Sequence, residues 1–421
     1  MYKLSKYNIE IPNSEEYYVF NLVSGALVKF TPTEIYNLHH LCIDKFDETE
    51  INHLLKSNIL VLDNFDEFSD LWNKNNEQSE KVNKTFSINI MTTTKCNARC
   101  YYCYEHVIKD KADMSDETVE RLLNYILIHR NDRPVQLKWF GGEPLCNIGV
   151  ISKICDALNK RGIEYHSSMI SNGLYVGTYI DKIVKDWKFK KVQITVDGIG
   201  DAYNKIKNYK VWKSEDHFSI LIKNIHLLLE NKIRVSLRLN FDPVNTIECI
   251  NLIDYLYTEF GNHKYLYVYC SHIFGENIPS PNDLNPNPYL DIYQKLIECG
   301  YVASLSDFRV IRATDYCGVY NKEFITVDPN GNLFKCEHEA CHGKEYSFYS
   351  IYDSEKNINH SNLNVWETRG YLEKCINCKV YPICNGGCKY YELHGNSNEQ
   401  CIPIKNCIEE IIKKFIQLKG V

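Results

Sequence analysis

Between residues 86 and 270 two hydrophobic patterns alternate. Short apolar runs rich in β-branched and aromatic residues (FSINIMTT, VQLKWFGG, YHSSMISNG, KKVQITVDG, RVSLRLNFD and KYLYVYC) are separated by longer stretches such as DETVERLLNYILIHR, IGVISKICDALNKRG, FSILIKNIHLLLENK and IECINLIDYLYTEFG. In the longer stretches apolar residues recur three and four positions apart. The first pattern predicts strands, the second amphipathic helices, and their alternation predicts βα units with a parallel sheet. Six units fall short of the eight that close a barrel. An α/β domain built as a partial (β/α)6 TIM-like barrel is therefore expected over 86–275.

The first 80 residues follow another rule. YYVFNLVSGALVKF, 17–30, alternates as two strands around the turn Ser24-Gly25. Thr31-Pro32-Thr33-Glu34 is a capping box with Pro in the first helical turn, and Asp47-Glu48-Thr49-Glu50 opens a second helix in the same way. Strands followed by short helices predict a small α+β domain that resembles a winged helix. The polar run NKNNEQSEKVNK, 73–84, reads as its linker. Residues 276–421 begin with a Pro- and Asn-rich loop and the helical YLDIYQKLIECGYV. The remainder of that region is dense in cysteine and poor in periodicity, so metal sites rather than a hydrophobic core are expected to organise it.

A chain of 421 residues has room for two or three domains, and its charged and aromatic fractions, 24% and 13%, are those of a folded globular protein. A net charge of −6 without a basic cluster gives no footprint for nucleic acid. The N-terminal stretch mixes charges every few residues and no segment is apolar over the length of a membrane span, so a cytoplasmic protein without a membrane partner is expected. In that reducing compartment disulfides do not account for 18 cysteines, and metal or iron–sulfur ligation does. Three cysteines cluster at 96–103 and nine fall between 317 and 407, while Cys42, Cys146, Cys155, Cys249, Cys270 and Cys299 stand singly and are expected in the core.

Cys96, Cys100 and Cys103, spaced Cys-x3-Cys-x2-Cys, follow directly on the first strand of the βα series and so lie at its carboxyl end, where parallel βα folds place their chemistry. A closed zinc site needs four protein ligands. Three soft thiolates with one vacancy suit a [4Fe–4S] cluster with one iron open to a small molecule. Free thiols, or a zinc site completed from a distance, are the competing readings of the same three residues.

That spacing, with Tyr102 before the third cysteine, resembles the radical S-adenosylmethionine (SAM) superfamily, in which the open iron chelates SAM and reductive cleavage gives a 5′-deoxyadenosyl radical. The resemblance continues along the later strand ends. Gly141-Gly142-Glu143-Pro144 is similar to the segment that takes the SAM amino group, and Ser171-Asn172-Gly173 to the polar triplet near the ribose. Asp197-Gly198 ends the fourth strand, and on the fifth the resemblance implies that Arg238 meets the SAM carboxylate and Asn240 the ribose hydroxyls.

Beyond the barrel, Cys317, Cys336 and the array Cys375-x2-Cys378-x5-Cys384-x3-Cys388, followed by Cys401 and Cys407, resemble the SPASM extension of radical SAM enzymes. The resemblance implies two auxiliary [4Fe–4S] clusters, three clusters in all. Cys317, Cys336 and Cys388 would hold the first, and Cys375, Cys378, Cys384 and Cys401 the second, with Cys407 the alternative to Cys401. A cysteine expected six positions before Cys317 is Ile311, which leaves the first auxiliary cluster open, or completed by Cys341 or a substrate thiol. Zinc in place of an auxiliary cluster is the competing reading.

The resemblance points to a peptide maturase of ribosomally made natural products. Its N-terminal domain would bind a precursor's leader along a strand edge, its barrel would abstract hydrogen from a core residue to form a thioether or carbon–carbon crosslink, and a flavodoxin or ferredoxin would supply the electron. An anaerobic sulfatase-maturing enzyme is the alternative, and Glu337, directly after Cys336, is then the candidate base. A non-catalytic iron–sulfur electron carrier is the alternative of another class.

Overall fold

All six strands expected from the alternating pattern form, as β6 (Phe86–Met91), β7 (Val135–Phe140), β8 (Tyr165–Ser171), β9 (Phe189–Val196), β10 (Arg234–Phe241) and β11 (Leu266–His272). They lie side by side and parallel in sequence order. The computed structural model describes every residue except 14, 213–214, 244, 274–277, 306, 308–316, 369, 371–372, 395–399 and 421. Ile311 lies outside the described residues.

Period-2 alternation gives each strand two unlike faces. On β10, Val235, Leu237, Leu239 and Phe241 are buried and the strand packs against helices α7 (His217–Glu230) and α8 (Thr246–Phe260). Those helices bury Leu221 and Leu228, and Leu252 and Leu256, on their facing stripes. Each such leucine contributes on the order of 2 kcal/mol by leaving water. The other face carries Ser236, Arg238 and Asn240, and this polar side lines the inside of the partial barrel. Asp216 caps α7, and Ser115 caps α4 (Asp116–His129), by accepting backbone N–H bonds.

The sheet continues past β6. The wholly buried β12 (Ile325–Val327) pairs parallel with β6, and an antiparallel run β13 (Asn332–Phe334) and β14 (Tyr349–Ser350) completes nine strands. Residues 319–368 thus join 82–279 in one compact unit. The C-terminal region, read from sequence as one stretch from 276, is divided, because a buried three-residue strand satisfies the open edge of β6.

The second compact unit gathers residues 1–81, 280–318 and 369–421. An antiparallel meander of β2 (Asn8–Asn13), β3 (Glu16–Asn21) and β4 (Leu27–Phe30) precedes helices α1 (Pro32–His39) and α2 (Glu48–Lys56). β1 (Tyr2–Leu4) pairs with β5 (Leu60–Leu62). Both capping boxes form as read from sequence: Glu34 N donates to Thr31 Oγ1 at 3.2 Å and Glu50 N to Asp47 Oδ1 at 2.8 Å.

The expected linker is instead helical, since α3 runs Glu67–Glu80. Asp66 caps it by accepting from the Phe68 and Ser69 N–H groups, each at 3.1 Å, and with no Gly or Pro in the run nothing stops it. Buried Glu67 accepts from Ser5 Oγ and Lys6 N, and Phe68 packs on Tyr381 with ring centroids 4.7 Å apart. The helix Ile408–Lys419 packs on β2 and on α9 (Tyr289–Glu298). Of the single cysteines, Cys155, Cys249 and Cys299 are buried as expected, whereas Cys146 is exposed. No helix among the described residues is long and apolar enough to cross a membrane.

Candidate active site at the open ends of the barrel strands

The chain leaves β6 through Thr92, Thr93 and Thr94, three buried threonines that bind the returning segment 112–114. Thr93 Oγ1 donates to Asp113 at 2.6 Å, and Thr94 N to the Ala112 carbonyl at 2.9 Å. The loop so anchored carries Cys96, Cys100 and Cys103. Burial first, then the charges of Glu143 and Cys100, pushes the Cys96 thiol up to about 12. Burial and Glu105 push Cys103 up to about 11. Burial also raises Cys100, but there the positive charge of Lys207 opposes it. Cys100 acts electrostatically on both of the other thiols, and Cys146 acts on Cys96 as well.

Gly141 and Gly142 shape the next strand end. Both have positive φ, +88° and +49°. A Cβ on Gly141 would lie 2.1 Å from Met91 Cγ, and one on Gly142 would lie 2.1 Å from the Lys95 carbonyl oxygen. The glycines therefore allow this turn to press against the backbone just before Cys96, where Glu143 N donates to the Lys95 carbonyl at 3.0 Å. Gly142→Ala is expected to cost at least about 1–2 kcal/mol from its left-handed backbone alone, and to lower the iron content of reconstituted protein by displacing the cysteine loop, as iron analysis beside urea unfolding would show.

Glu143 points into the protein, fully buried, with Pro144 buried beside it. Its carboxylate accepts from Ser171 Oγ at 2.9 Å, from Asn172 N at 2.8 Å and from Leu145 N at 3.2 Å, tying the second strand end to the third. Burial raises its pKa to about 7 against those hydrogen bonds. Asn172 in turn donates to Asn97 Oδ1 at 2.6 Å within the cysteine loop.

Tyr102, Asp197 and Asn240, from the cysteine loop and the fourth and fifth strand ends, meet in one buried network. Tyr102 OH donates to Asp197 Oδ2 at 2.6 Å, and Asn240 Nδ2 donates to Asp197 Oδ1 at 2.9 Å and to Tyr102 OH at 3.1 Å. Its centre is a residue that sequence reasoning missed. Lys207, 1% exposed, pairs with Asp197 at 2.6 Å and donates to Thr195 Oγ1 at 2.6 Å and Tyr102 OH at 3.2 Å. Burial pulls the Lys207 ammonium toward neutrality, but Asp197 above all, then Tyr102 and Cys100, hold its pKa well above the usual amine range. The signal was present in the sequence: Lys207 stands four residues after Tyr203, on the buried face of helix α6 (Gly200–Lys207).

Arg238 lies on the inner face one pleat short of Asn240; its Nη2 donates to Ser271 Oγ at 2.9 Å. Glu337 is held by Lys138 Nζ at 2.5 Å and Asn89 Nδ2 at 2.7 Å, from β7 and β6. Glu105, also missed, is buried and accepts from Gly142 N at 2.6 Å, linking the residue two after Cys103 to the glycine turn.

In the other unit, Cys375, Cys378, Cys384 and Cys401 line a single pocket, together with Lys374 and Lys405. Those two cations would offset the charge of thiolates there. Burial, then the neighbouring Cys401, Cys378 and Cys375, pushes Cys384 up to about 12. Cys407 does not line the pocket and donates to the Ile404 carbonyl at 3.7 Å. Cys317 and Cys388 belong to this unit, whereas Cys336 belongs to the barrel unit. Cys341 is buried near Cys336 and Cys103 and packs with Met91, Phe140 and Phe334.

Among the described residues no group of three Cys, His, Asp or Glu side chains is arranged to hold a single metal ion. A cubane bonds each thiolate to a different iron and needs a wider set. The three thiols of the first loop, half-buried with Lys207 as the nearby cation, fit such an anionic group.

A partial parallel barrel with a three-thiol loop at its open strand ends offers ligands that suit an iron–sulfur cluster. Residues 90–256 match the Radical SAM superfamily. That segment is thus a radical SAM domain, and the chain around it is similar to a radical SAM cyclopropyl synthase and to sulfatase-maturating enzymes. It is 22% identical to the radical SAM cyclopropyl synthase TigE of Paramaledivibacter caminithermalis, over 98% of this chain and 96% of that protein. To the cysteine-type anaerobic sulfatase-maturating enzyme of Clostridium perfringens it is 24% identical, over 70% of this chain and 86% of that protein. The fold matches native anSMEcpe with bound AdoMet and Cp18Cys peptide at TM-score 0.60 and 19% identity, covering 80% of this chain and 98% of that one. It also matches Streptococcus suis SuiB bound to precursor peptide SuiA at TM-score 0.50 and 14% identity, covering 95% and 98%.

Proposed function

We propose that the chain is a peptide maturase that docks a precursor by its leader and removes a hydrogen atom from a core residue to form a crosslink. The observation that carries this reading is the three-thiol loop set among polar strand ends. A relative named for cyclopropyl synthesis that aligns over nearly the whole chain, and a similarly folded protein bound to its precursor peptide, support it.

Cys96, Cys100 and Cys103 would hold a [4Fe–4S] cluster whose open iron takes SAM, and together these supply a 5′-deoxyadenosyl radical. The backbone of the Gly141–Glu143 turn would meet the SAM amino group, and Asn172 and Asn240 would face the ribose. Cys375, Cys378, Cys384 and Cys401 would hold an auxiliary [4Fe–4S] cluster. The leader would add along an edge of the β2–β4 meander, and a flavodoxin or ferredoxin would deliver the electron.

Glu337, on the inner face and directly after Cys336, favours a second reading, the oxidation of a cysteine to formylglycine, and the sulfatase-maturating relatives support it. The two reactions differ in what the peptide loses. Anaerobically reconstituted protein, reductant and SAM, given a cysteine-containing small protein encoded beside its gene, should yield 5′-deoxyadenosine and a product lighter by two hydrogens with its sulfur retained. A product that has lost sulfur and gained an aldehyde would establish the second reading and sink the first. Deleting residues 1–80 is a poor test, because Glu67, Phe68 and β2 pack within the same unit as the C-terminal helix. For the auxiliary site, Cys378→Ser combined with Cys384→Ser is expected to lower bound iron by about four atoms per chain while the SAM-responsive cluster signal persists. Iron analysis beside electron paramagnetic resonance measures both.

A further inference from the structure

The inner face of the barrel sheet carries more cations than anions. Strand register places Lys138, Ser168, Lys191 and Arg234 in one row across β7, β8, β9 and β10. Further along β10 toward the open ends, Arg238 pairs in register with Thr195 on β9 and Tyr269 on β11. Lys138 is neutralised by Glu337. Lys191, Arg234 and Arg238 have no carboxylate within 4.0 Å among the described residues. Partial burial, then the positive charges of Lys138 and Arg234, lowers the Lys191 pKa, so these cations crowd one another. The Arg238 guanidinium spends Nη2 on Ser271, while its Nε is buried without an acceptor.

We propose that this face carries, at Arg238, a carboxylate subsite for the peptide substrate, with Lys191 and Arg234, four residues back along the strands and roughly 13 Å away, adding only a distant positive field. An unpaired guanidinium drawn partly out of water costs desolvation that an incoming anion offsets. Its Nε and neighbouring Nη edge matches the two oxygens of a carboxylate, which a point charge does not. Glu337, already paired with Lys138, leaves the other three cations uncommitted. The carboxylate belongs either to an acidic side chain or to the peptide's C-terminus. This subsite deepens the maturase reading and rests on it.

Three blocked tripeptides distinguish the sources: acetyl-Gly-Asp-Gly-amide, acetyl-Gly-Asn-Gly with a free C-terminal carboxylate, and neutral acetyl-Gly-Asn-Gly-amide. Titrated into full-length reconstituted protein with SAM, one of the two acidic peptides should bind about tenfold more tightly than the neutral one. That ratio should collapse toward unity in Arg238→Gln and be only partly kept in Arg238→Lys, which retains the charge without the paired guanidinium edge and keeps the test open should the first variant misfold. Equal binding of all three peptides overturns the subsite, as does an acid preference that survives Arg238→Gln while SAM binding is lost. On the same wild-type sample, 5′-deoxyadenosine formation tests the parent reading separately. Its presence without acid preference removes only the subsite, and its absence removes both.

Discussion

Cys100→Ala should reduce 5′-deoxyadenosine formation to the level of cluster-free protein and remove about four irons per chain, whereas Cys146→Ala should leave both nearly intact. Cys100 is the middle of the three thiols, within electrostatic reach of Cys96 and Cys103 and of the buried Lys207. Without it the loop offers only two ligands. Cys146 is exposed and outside the motif spacing, so the pair controls for the mere loss of a thiol. Chromatography of the nucleoside after reduction with SAM, beside iron analysis, decides the matter. Cleavage at the wild-type rate in Cys100→Ala would show that another ligand set does the work.

Lys207→Met should destabilise the barrel unit by about 3–5 kcal/mol, because it leaves Asp197 buried without its cation. Both side chains are 1% exposed, so solvent cannot substitute. The double variant Lys207→Met with Asp197→Asn should recover most of the loss, since the amide needs no counter-charge and can accept from Asn240 through its oxygen while its NH2 donates to the Tyr102 hydroxyl. Urea unfolding of the full chain measures both variants. A single variant as stable as wild type would mean the pair contributes nothing, and a double variant as unstable as the single one would mean that Lys207 acts through packing rather than charge.

The fold was legible where local pattern and burial agree. Six β-branched runs became six parallel strands, because each places one apolar face against a helix whose stripe has the matching period. The capping boxes at Thr31 and Asp47 were equally readable, since all their partners lie within four residues. The stretch 73–84 misled because a polar helix and a polar linker share a composition. What holds α3 is Asp66 at its start and Phe68 against Tyr381, a contact across more than three hundred residues.

The site was legible to the same depth. The cysteines and the glycine turn announce themselves by spacing, but the purpose of Gly142 emerges only from the Lys95 carbonyl oxygen lying where a Cβ would be. Arg238 and Lys207 invert an expectation about nearness. The arginine stands out on its strand, yet the lysine is the cation that faces Cys100.

By itself the sequence determined the order of strands and helices, the three-thiol loop and its place at a strand end, because these depend on period and on chain neighbours. Tertiary structure alone decided that Cys401 rather than Cys407 lines the pocket of Cys375, Cys378 and Cys384, which unit residues 319–368 join, and which cation is buried beside the thiols. Those outcomes depend on side chains far apart in the chain, whose burial and pairing are settled only when the sheet brings their strand ends together.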